Sequence, residues 1–122
     1  MIKAAGPQVR VLDAIEADGR REIESLQVTA KSPLGAMASH VGALLIDSGW
    51  LRVLGCGHRE CALSITTATR HVGWGTNPGP PEGLLVAVDV LGGLFAINGG
   101  VLPDIPSGHV AYFGPDTLRW DD

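Results

Sequence analysis

Short apolar runs of strand length dominate the second half of the chain. Residues 84–88 (LLVAV) and 94–97 (LFAI) are rich in side chains that suit a pleated surface. Residues 89–92 between them place Asp first and Gly fourth, as a type I turn does. Residues 98–100 (NGG) then provide the positive φ angles that a chain reversal needs. The pattern predicts consecutive antiparallel strands.

Three further segments have the alternation or the turn residues of short strands. Residues 109–113 (HVAYF) predict a third strand, and residues 117–120 can pair beside it after a Gly-Pro-Asp turn. Near the start of the chain, residues 8–12 (QVRVL) alternate and predict a short edge strand. The second half of the chain is therefore expected to form a meander.

One amphipathic helix is predicted in the first half, over residues 20–26 (RREIESL). Either Asp13 or Asp18 can cap it. Its apolar side chains lie three positions apart and share a face, and Glu22 is expected to point away from that face. The Ser-Pro pair that follows at 32–33 is expected to prevent a return to helix.

Three further strands are predicted in the middle of the chain, over residues 36–40, 43–46 and 50–54. The Asp-Ser-Gly link at residues 47–49 is typical of a hairpin with a left-handed residue. We expect the core of this unit to contain four apolar side chains, namely Leu44, Ile46, Trp50 and Val53.

Two segments lie between this unit and the meander. Residues 64–71 predict a short helix capped by Ser64. Residues 73–81 contain three Pro and three Gly and are expected to form a surface loop. The fold class that follows is α+β: mainly an antiparallel β-sheet (a meander of short strands) with one or two short helices, in a single domain over residues 1–122.

Composition restricts the possible partners. Charged residues make up 18% of the chain, below the usual quarter, which suggests that another protein or a second copy covers part of the surface. The net charge of −4 and the lack of a Lys/Arg cluster argue against nucleic acid as a partner. No apolar stretch approaches the ~20 residues that span a bilayer, so no membrane partner is expected. With no signal-peptide core and two cysteines, the chain is expected to be a bacterial cytoplasmic protein with reduced thiols.

The densest cluster of reactive residues is Cys56, His58 and Cys61. These residues could supply metal ligands, with His71 as a distant fourth, but a second knuckle is missing. A Cys–His nucleophilic pair is the enzymatic alternative, with a carboxylate such as Asp89 to orient the base. Two small apolar residues at the end of a strand are the simpler explanation. No cofactor is expected, because neither GxGxxG nor GxxxxGK[ST] occurs.

Four segments together resemble an uncharacterised bacterial domain-of-unknown-function family. They are LQVTAKSPLG (residues 26–35), DSGWLRVLGCG (47–57), VDVLGGLFAINGG (88–100) and VAYFGPDTLRW (110–120). The likeness covers most of the chain and implies no particular activity. Relatives in that family continue into a further helical segment after the residue equivalent to Trp120. If that segment packs on the sheet in relatives, the resemblance implies an apolar face here that another copy or a partner covers.

A more distant resemblance is to the SUKH superfamily. The Gly-Gly turn before LFAIN and the following VAYF strand carry it. That likeness implies an α+β, SUKH-like fold and a protein-binding role, either as an immunity-type protein or as a scaffold. The residues predicted to contact a partner are Trp74, whose indole lies in the Gly/Pro loop, and four that match the resemblance: Asp89, Asn98, Tyr112 and Asp116.

The sequence therefore favours a non-enzymatic protein-binding module, immunity-type or regulatory, whose partner is another protein or a second copy of itself. Trp50 and Trp120 are assigned to the core and only Trp74 to a contact surface. A thiol- or metal-dependent enzyme that uses Cys56, His58 and Cys61 is the alternative from another class. A small-ligand sensor with a pocket beneath residues 73–81 is the third.

Overall fold

Seven strands and three helices form the part of the chain that the computed structural model describes, residues 8–26, 33–74 and 82–122. In chain order they are β1 (Val9–Asp13), α1 (Glu16–Leu26), α2 (Pro33–His40), β2 (Val41–Ile46), β3 (Leu51–Leu54), α3 (Ile65–His71), β4 (Gly83–Asp89), β5 (Leu94–Asn98), β6 (Val110–Phe113) and β7 (Trp120–Asp121). The strands form one antiparallel sheet in the order β1-β2-β3-β4-β5-β6-β7. The predicted α+β meander is confirmed, with a third helix in addition.

Strands β4, β5, β6 and the edge strand β1 lie where the sequence predicts them, whereas β7 begins at Trp120, the last residue of the predicted 117–120 strand. Between β4 and β5 the Asp89 carboxylate accepts hydrogen bonds from the backbone N–H groups of Leu91 at 3.0 Å and Gly93 at 2.7 Å. The hairpin between β2 and β3 has three consecutive left-handed residues, Asp47 to Gly49, which confirms the predicted turn. Ser64 caps α3 in a capping box with Thr67, as expected.

Helix α1 starts earlier than predicted, at Glu16. Asp18 therefore lies inside its first turn and Asp13 belongs to β1, so neither has the predicted capping position. Gly19 is where α1 approaches α2: a Cβ at this position would overlap the backbone carbonyl oxygen of Ser39 and lie 2.8 Å from its carbon. The glycine allows the two helices to pack directly against each other.

The prediction of a strand over residues 36–40 is wrong, because these residues lie in α2. Pro33 is the first residue of that helix, a position where its missing N–H costs no hydrogen bond and its fixed φ suits the helix. The Ser39 hydroxyl donates back to the carbonyl of Gly35 at 2.7 Å, inside the helix. The prediction that residues 32–33 prevent a return to helix is therefore wrong, because α2 begins at Pro33.

The helices cover one side of the sheet, which we call the inner face. The core cluster joins inner-face residues to helical ones and consists of Leu12, Leu26, Ala38, Ala43, Leu54, Cys61, Ile65, Ala68, Leu85 and Ala96. The four predicted core residues are absent from it. Trp50 is 52% exposed, and Leu44, Ile46 and Val53 are half-buried on the opposite side, the outer face. Trp120 does pack against the cluster, as predicted.

Candidate functional site

The outer face carries a continuous row of apolar side chains across the sheet. Antiparallel pairing places one residue from each strand in this row: Val11, Leu44, Val53, Ala87, Phe95, Tyr112 and finally Asp121. Directly paired residues on one face of a sheet have Cβ atoms about 5 Å apart, so the row forms a single surface. Six of its seven members are apolar or aromatic.

Two flanking rows widen this surface. One contains Val9, Ile46, Leu51 and Asp89, and the other contains Ile97 and Val110. Val9, Val11 and Val110 are each more than half exposed. An antiparallel sheet with one solvated face normally alternates with polar residues on that face. An apolar outer face is instead typical of a surface that contacts another molecule.

Tyr112 and Asp89 meet at one corner of the outer face. The Tyr112 hydroxyl donates to the Asp89 carboxylate at 3.3 Å, and its ring packs on Phe95 with centroids 4.8 Å apart. Desolvation, followed by the negative charges of Asp89 and Asp116, raises the pKa of Tyr112, so its hydroxyl remains a donor. A Cβ at Gly93 would overlap both the hydroxyl and the carboxylate, which explains why a glycine stands there.

The five predicted contact residues lie in three different environments. Asp89 and Tyr112 share the outer-face corner described above. Asp116 is exposed in the turn after β6, where its carboxylate accepts from the backbone N–H of Thr117 at 3.0 Å. The structure thus brings three of the five together, because Asp116 is close enough to Tyr112 to raise its pKa.

Trp74 and Asn98 lie elsewhere. Trp74 is half-buried and packs against Trp120 on the inner face with ring centroids 5.4 Å apart. Asn98 is 2% exposed: its amide group donates to the carbonyls of Leu102 and Ile105, at 2.9 and 2.7 Å, and its oxygen accepts from two backbone N–H groups. This burial gives Asn98 a role in organising its own loop, which counts against partner contact.

The cysteine cluster shows little sign of an activated nucleophile. Cys56 and Cys61 are both buried and free. His58 pairs with Cys61 through backbone hydrogen bonds, and its Nδ1 accepts from the backbone N–H of Glu60 at 3.0 Å. Burial, and then the charges of Glu22 and Asp18, raise the pKa of Cys56, which favours the protonated thiol. Among the described residues, no three His, Cys, Asp or Glu side chains are grouped to hold a metal.

Glu22 is the residue that sequence reasoning missed. It was expected to point away from the apolar face of α1, but it is 6% exposed and accepts from the backbone N–H of Thr66 at 2.6 Å. Burial raises the pKa of Glu22, against the opposing effects of that hydrogen bond, the nearby hydroxyls of Thr66 and Ser64, and the charge of Arg70. Its partner lies 44 positions away, and no local signal in the sequence reveals it.

The burial of Glu22 predicts a specific pH dependence of stability. A raised native pKa means that the folded chain binds more protons than the unfolded chain above about pH 4.5, so this group lowers the free energy of unfolding as pH rises. Glu22→Gln keeps an oxygen for the Thr66 N–H and removes the charge. We expect the variant to be at least as stable as wild type at neutral pH, with the difference vanishing in acid.

Urea denaturation across this pH range measures the effect. Glu24→Gln is the control for loss of a charge from the same helix, since Glu24 is exposed. A wild-type chain that gains stability over Glu22→Gln as the pH rises would show that hydrogen bonds to the carboxylate outweigh its burial.

Comparison with known proteins gives family membership but no activity. The family model described as "Protein of unknown function DUF2625" matches residues 1–122. The chain is 44% identical over 98 residues to "Putative uncharacterized protein YbfG" of Escherichia coli (strain K12), covering 79% of this chain and 42% of that protein. No solved structure matches the chain.

A second relative is an "Uncharacterized protein" of Haemophilus influenzae, 34% identical over 110 residues, or 90% of this chain and 48% of the relative. The chain therefore spans about half the length of the curated relatives it matches. Within residues 8–26, 33–74 and 82–122, no helix is long and apolar enough to cross a membrane.

Proposed function

The chain belongs to this family of unknown function, and we propose that it is a non-enzymatic protein-binding module that docks a partner on the outer face of its sheet. The apolar row from Val11 to Tyr112 is the observation that carries the proposal. Burying apolar surface provides most of the free energy of protein association. The raised pKa of the Cys56 thiol favours its protonated form, and among the described residues its hydrogen bond goes to the Gly57 carbonyl and not to a histidine. Both observations support a binding role over thiol catalysis.

The charges on the outer face indicate the chemistry of the partner. Its three rows contain two charged side chains, Asp89 and Asp121, and Asp116 lies beside Tyr112. Such a surface complements an apolar patch flanked by Lys or Arg. A second copy would bring the same acids and a further net charge of −4, so we propose a different protein as the partner.

The proposed role is supported by a sequence resemblance, and the proposed compartment by the two free cysteines. The SUKH resemblance favours regulation or neutralisation of the partner, as in immunity-type proteins. A cytoplasmic location agrees with two free thiols, because such compartments keep cysteines reduced. A thiol enzyme at Cys56 is the less well-supported alternative.

Site-specific photo-crosslinking in cells tests the proposal. The crosslinking amino acid p-benzoylphenylalanine is placed at Val11 or Val110, exposed positions at separate points of the outer face. Ala17, exposed on α1 behind the sheet, is the matched control. We expect one protein of a different chain to be captured from both outer-face positions and not from Ala17.

Each other outcome would count against the proposal. Capture of a second copy alone would show that the outer face mediates self-association and does not bind a different protein. Equal capture of the partner from Ala17, or no capture from either outer-face position, would show that the outer face is not the docking surface.

A further inference from the structure

A cleft lined by both charged and apolar side chains lies on the helical side of the molecule, away from the outer face. Its volume is about 780 Å³, and it lies between the β1–α1 junction, the loop after β3 and the start of α3. Clefts of this size hold small organic ligands. Its lining contains three carboxylates, those of Asp13, Asp18 and Glu22, and three guanidinium groups, those of Arg21, Arg59 and Arg70.

Glu22 is the buried charged group of this cleft. One carboxylate oxygen, Oε2, accepts from the Thr66 N–H, and α1 holds the side chain at 6% exposure. Its raised pKa shows that these contacts compensate only partly for the loss of water. A cationic donor inside the cleft would supply the missing stabilisation.

The remaining charges differ in how they are paired. Asp18 and Arg21 form an ion pair with each other at the edge of the cleft. Arg59 and Arg70 have no ion pair within the described part of the chain, and Arg70 is close enough to act on the charge of Glu22. Glu22 likewise forms no ion pair among the described residues, the Arg70 guanidinium group is its near neighbour, and Arg59 lines the same cleft.

We infer that this cleft binds a small zwitterion of the amino-acid class. Its ammonium group binds the Glu22 carboxylate, and its carboxylate binds the guanidinium groups of Arg59 and Arg70. The cleft does not overlap the outer face, so ligand binding and partner docking are separate properties of the chain.

Isothermal titration of the purified chain with each of the common L-amino acids tests the inference. For any amino acid that binds, its methyl ester lacks the carboxylate and its N-acetyl form lacks the ammonium group. We expect saturable binding, with each derivative at least about tenfold weaker, since each loses one charge-assisted contact. Backbone NMR shifts on titration should cluster at Glu22, Cys56 and Thr66.

Two variants and a control complete the experiment. Glu22→Gln and Arg70→Gln should each weaken binding by about tenfold while circular dichroism stays unchanged. Arg20→Gln, on the same helix but outside the cleft, should bind as wild type does. Absence of saturable binding up to about 10 mM, well above a weak dissociation constant of ~1 mM, would overturn the inference. The inference would also be overturned if the methyl ester and the N-acetyl form bound as tightly as the amino acid. NMR shifts that cluster away from Glu22, Cys56 and Thr66 would overturn it as well. None of these outcomes affects the crosslinking result.

Discussion

Asn98→Ala is expected to lower the free energy of unfolding by about 3 kcal/mol, because the lost amide leaves buried backbone groups without hydrogen-bond partners. Asn98 is 2% exposed and its side chain makes four hydrogen bonds, with the backbone of Gly100, Leu102 and Ile105. Ile105, whose carbonyl accepts one of these hydrogen bonds, is also buried. Out of the roughly 5–15 kcal/mol typical of a small domain, this is a large loss.

Urea denaturation of the two chains gives the difference directly. Ser107→Ala is the matched control, because Ser107 is exposed in the same loop. Surface substitutions of that kind change stability by at most about 0.5 kcal/mol. A loss below about 1 kcal/mol for Asn98→Ala would mean that the loop does not depend on this side chain.

Gly19→Ala is expected to destabilise the chain by about 2 kcal/mol, although alanine is the better helix former. Helix propensity alone would give about 1 kcal/mol of stabilisation. The added methyl group, however, would overlap the Ser39 carbonyl, and Gly19 faces backbone there, not a side chain that could move away. Overpacking of this kind costs about 1–3 kcal/mol or more.

The sign of the change in the free energy of unfolding shows whether helix propensity or overpacking dominates. Ala17→Gly, at an exposed position of the same helix, measures the propensity difference without a steric contact. Calorimetric unfolding of wild type, Gly19→Ala and Ala17→Gly measures this change. A more stable Gly19→Ala chain would show that α1 and α2 can separate at no cost.

The sheet could be predicted from the sequence because its signals are local. Strands β4, β5 and β6 alternate or form apolar runs of strand length, and turn residues such as Gly92 separate them. Local signals also predict strand β1 and the cap of α3 by Ser64. Each of these features depends on residues a few positions apart.

Helix α2 could not be predicted because its signals are ambiguous. Residues 36–40 are short, small and mostly apolar, and periodicity alone cannot distinguish a buried helix from a strand in such a run. The pair of residues 32–33 predicts an end to helix, whereas Pro33 at the first helical position favours the helix.

The faces of β2 and β3 were assigned the wrong way round. In β2, four apolar residues follow one another, so both faces are apolar and no alternation marks the inner one. The prediction chose Leu44 and Val53, which pair on the outer face, in place of Ala43 and Leu54, which pair on the inner face. The apolar outer face, which removes the alternation from β2, is also the surface proposed to bind a partner.

Some residues of the candidate sites could be named from the sequence, and others depend on tertiary contacts. Asp89 and Tyr112 were named from a resemblance and do meet on the outer face, at 3.3 Å. The burial of Glu22 could not be predicted, because it depends on the packing of α1 against α3 and on the hydrogen bond from the Thr66 N–H. Residues 75–81, where a pocket beneath a loop was suggested, lie outside the described residues.

The affinity of the crosslinked partner for Val11→Glu tests the docking surface most directly. Val11 is 53% exposed, so a carboxylate there is compatible with folding but opposes apolar contact. The account predicts a dissociation constant at least about tenfold higher than that of wild type. It also predicts an unchanged constant for Ala17→Glu. Equal dissociation constants for wild type and Val11→Glu would contradict it.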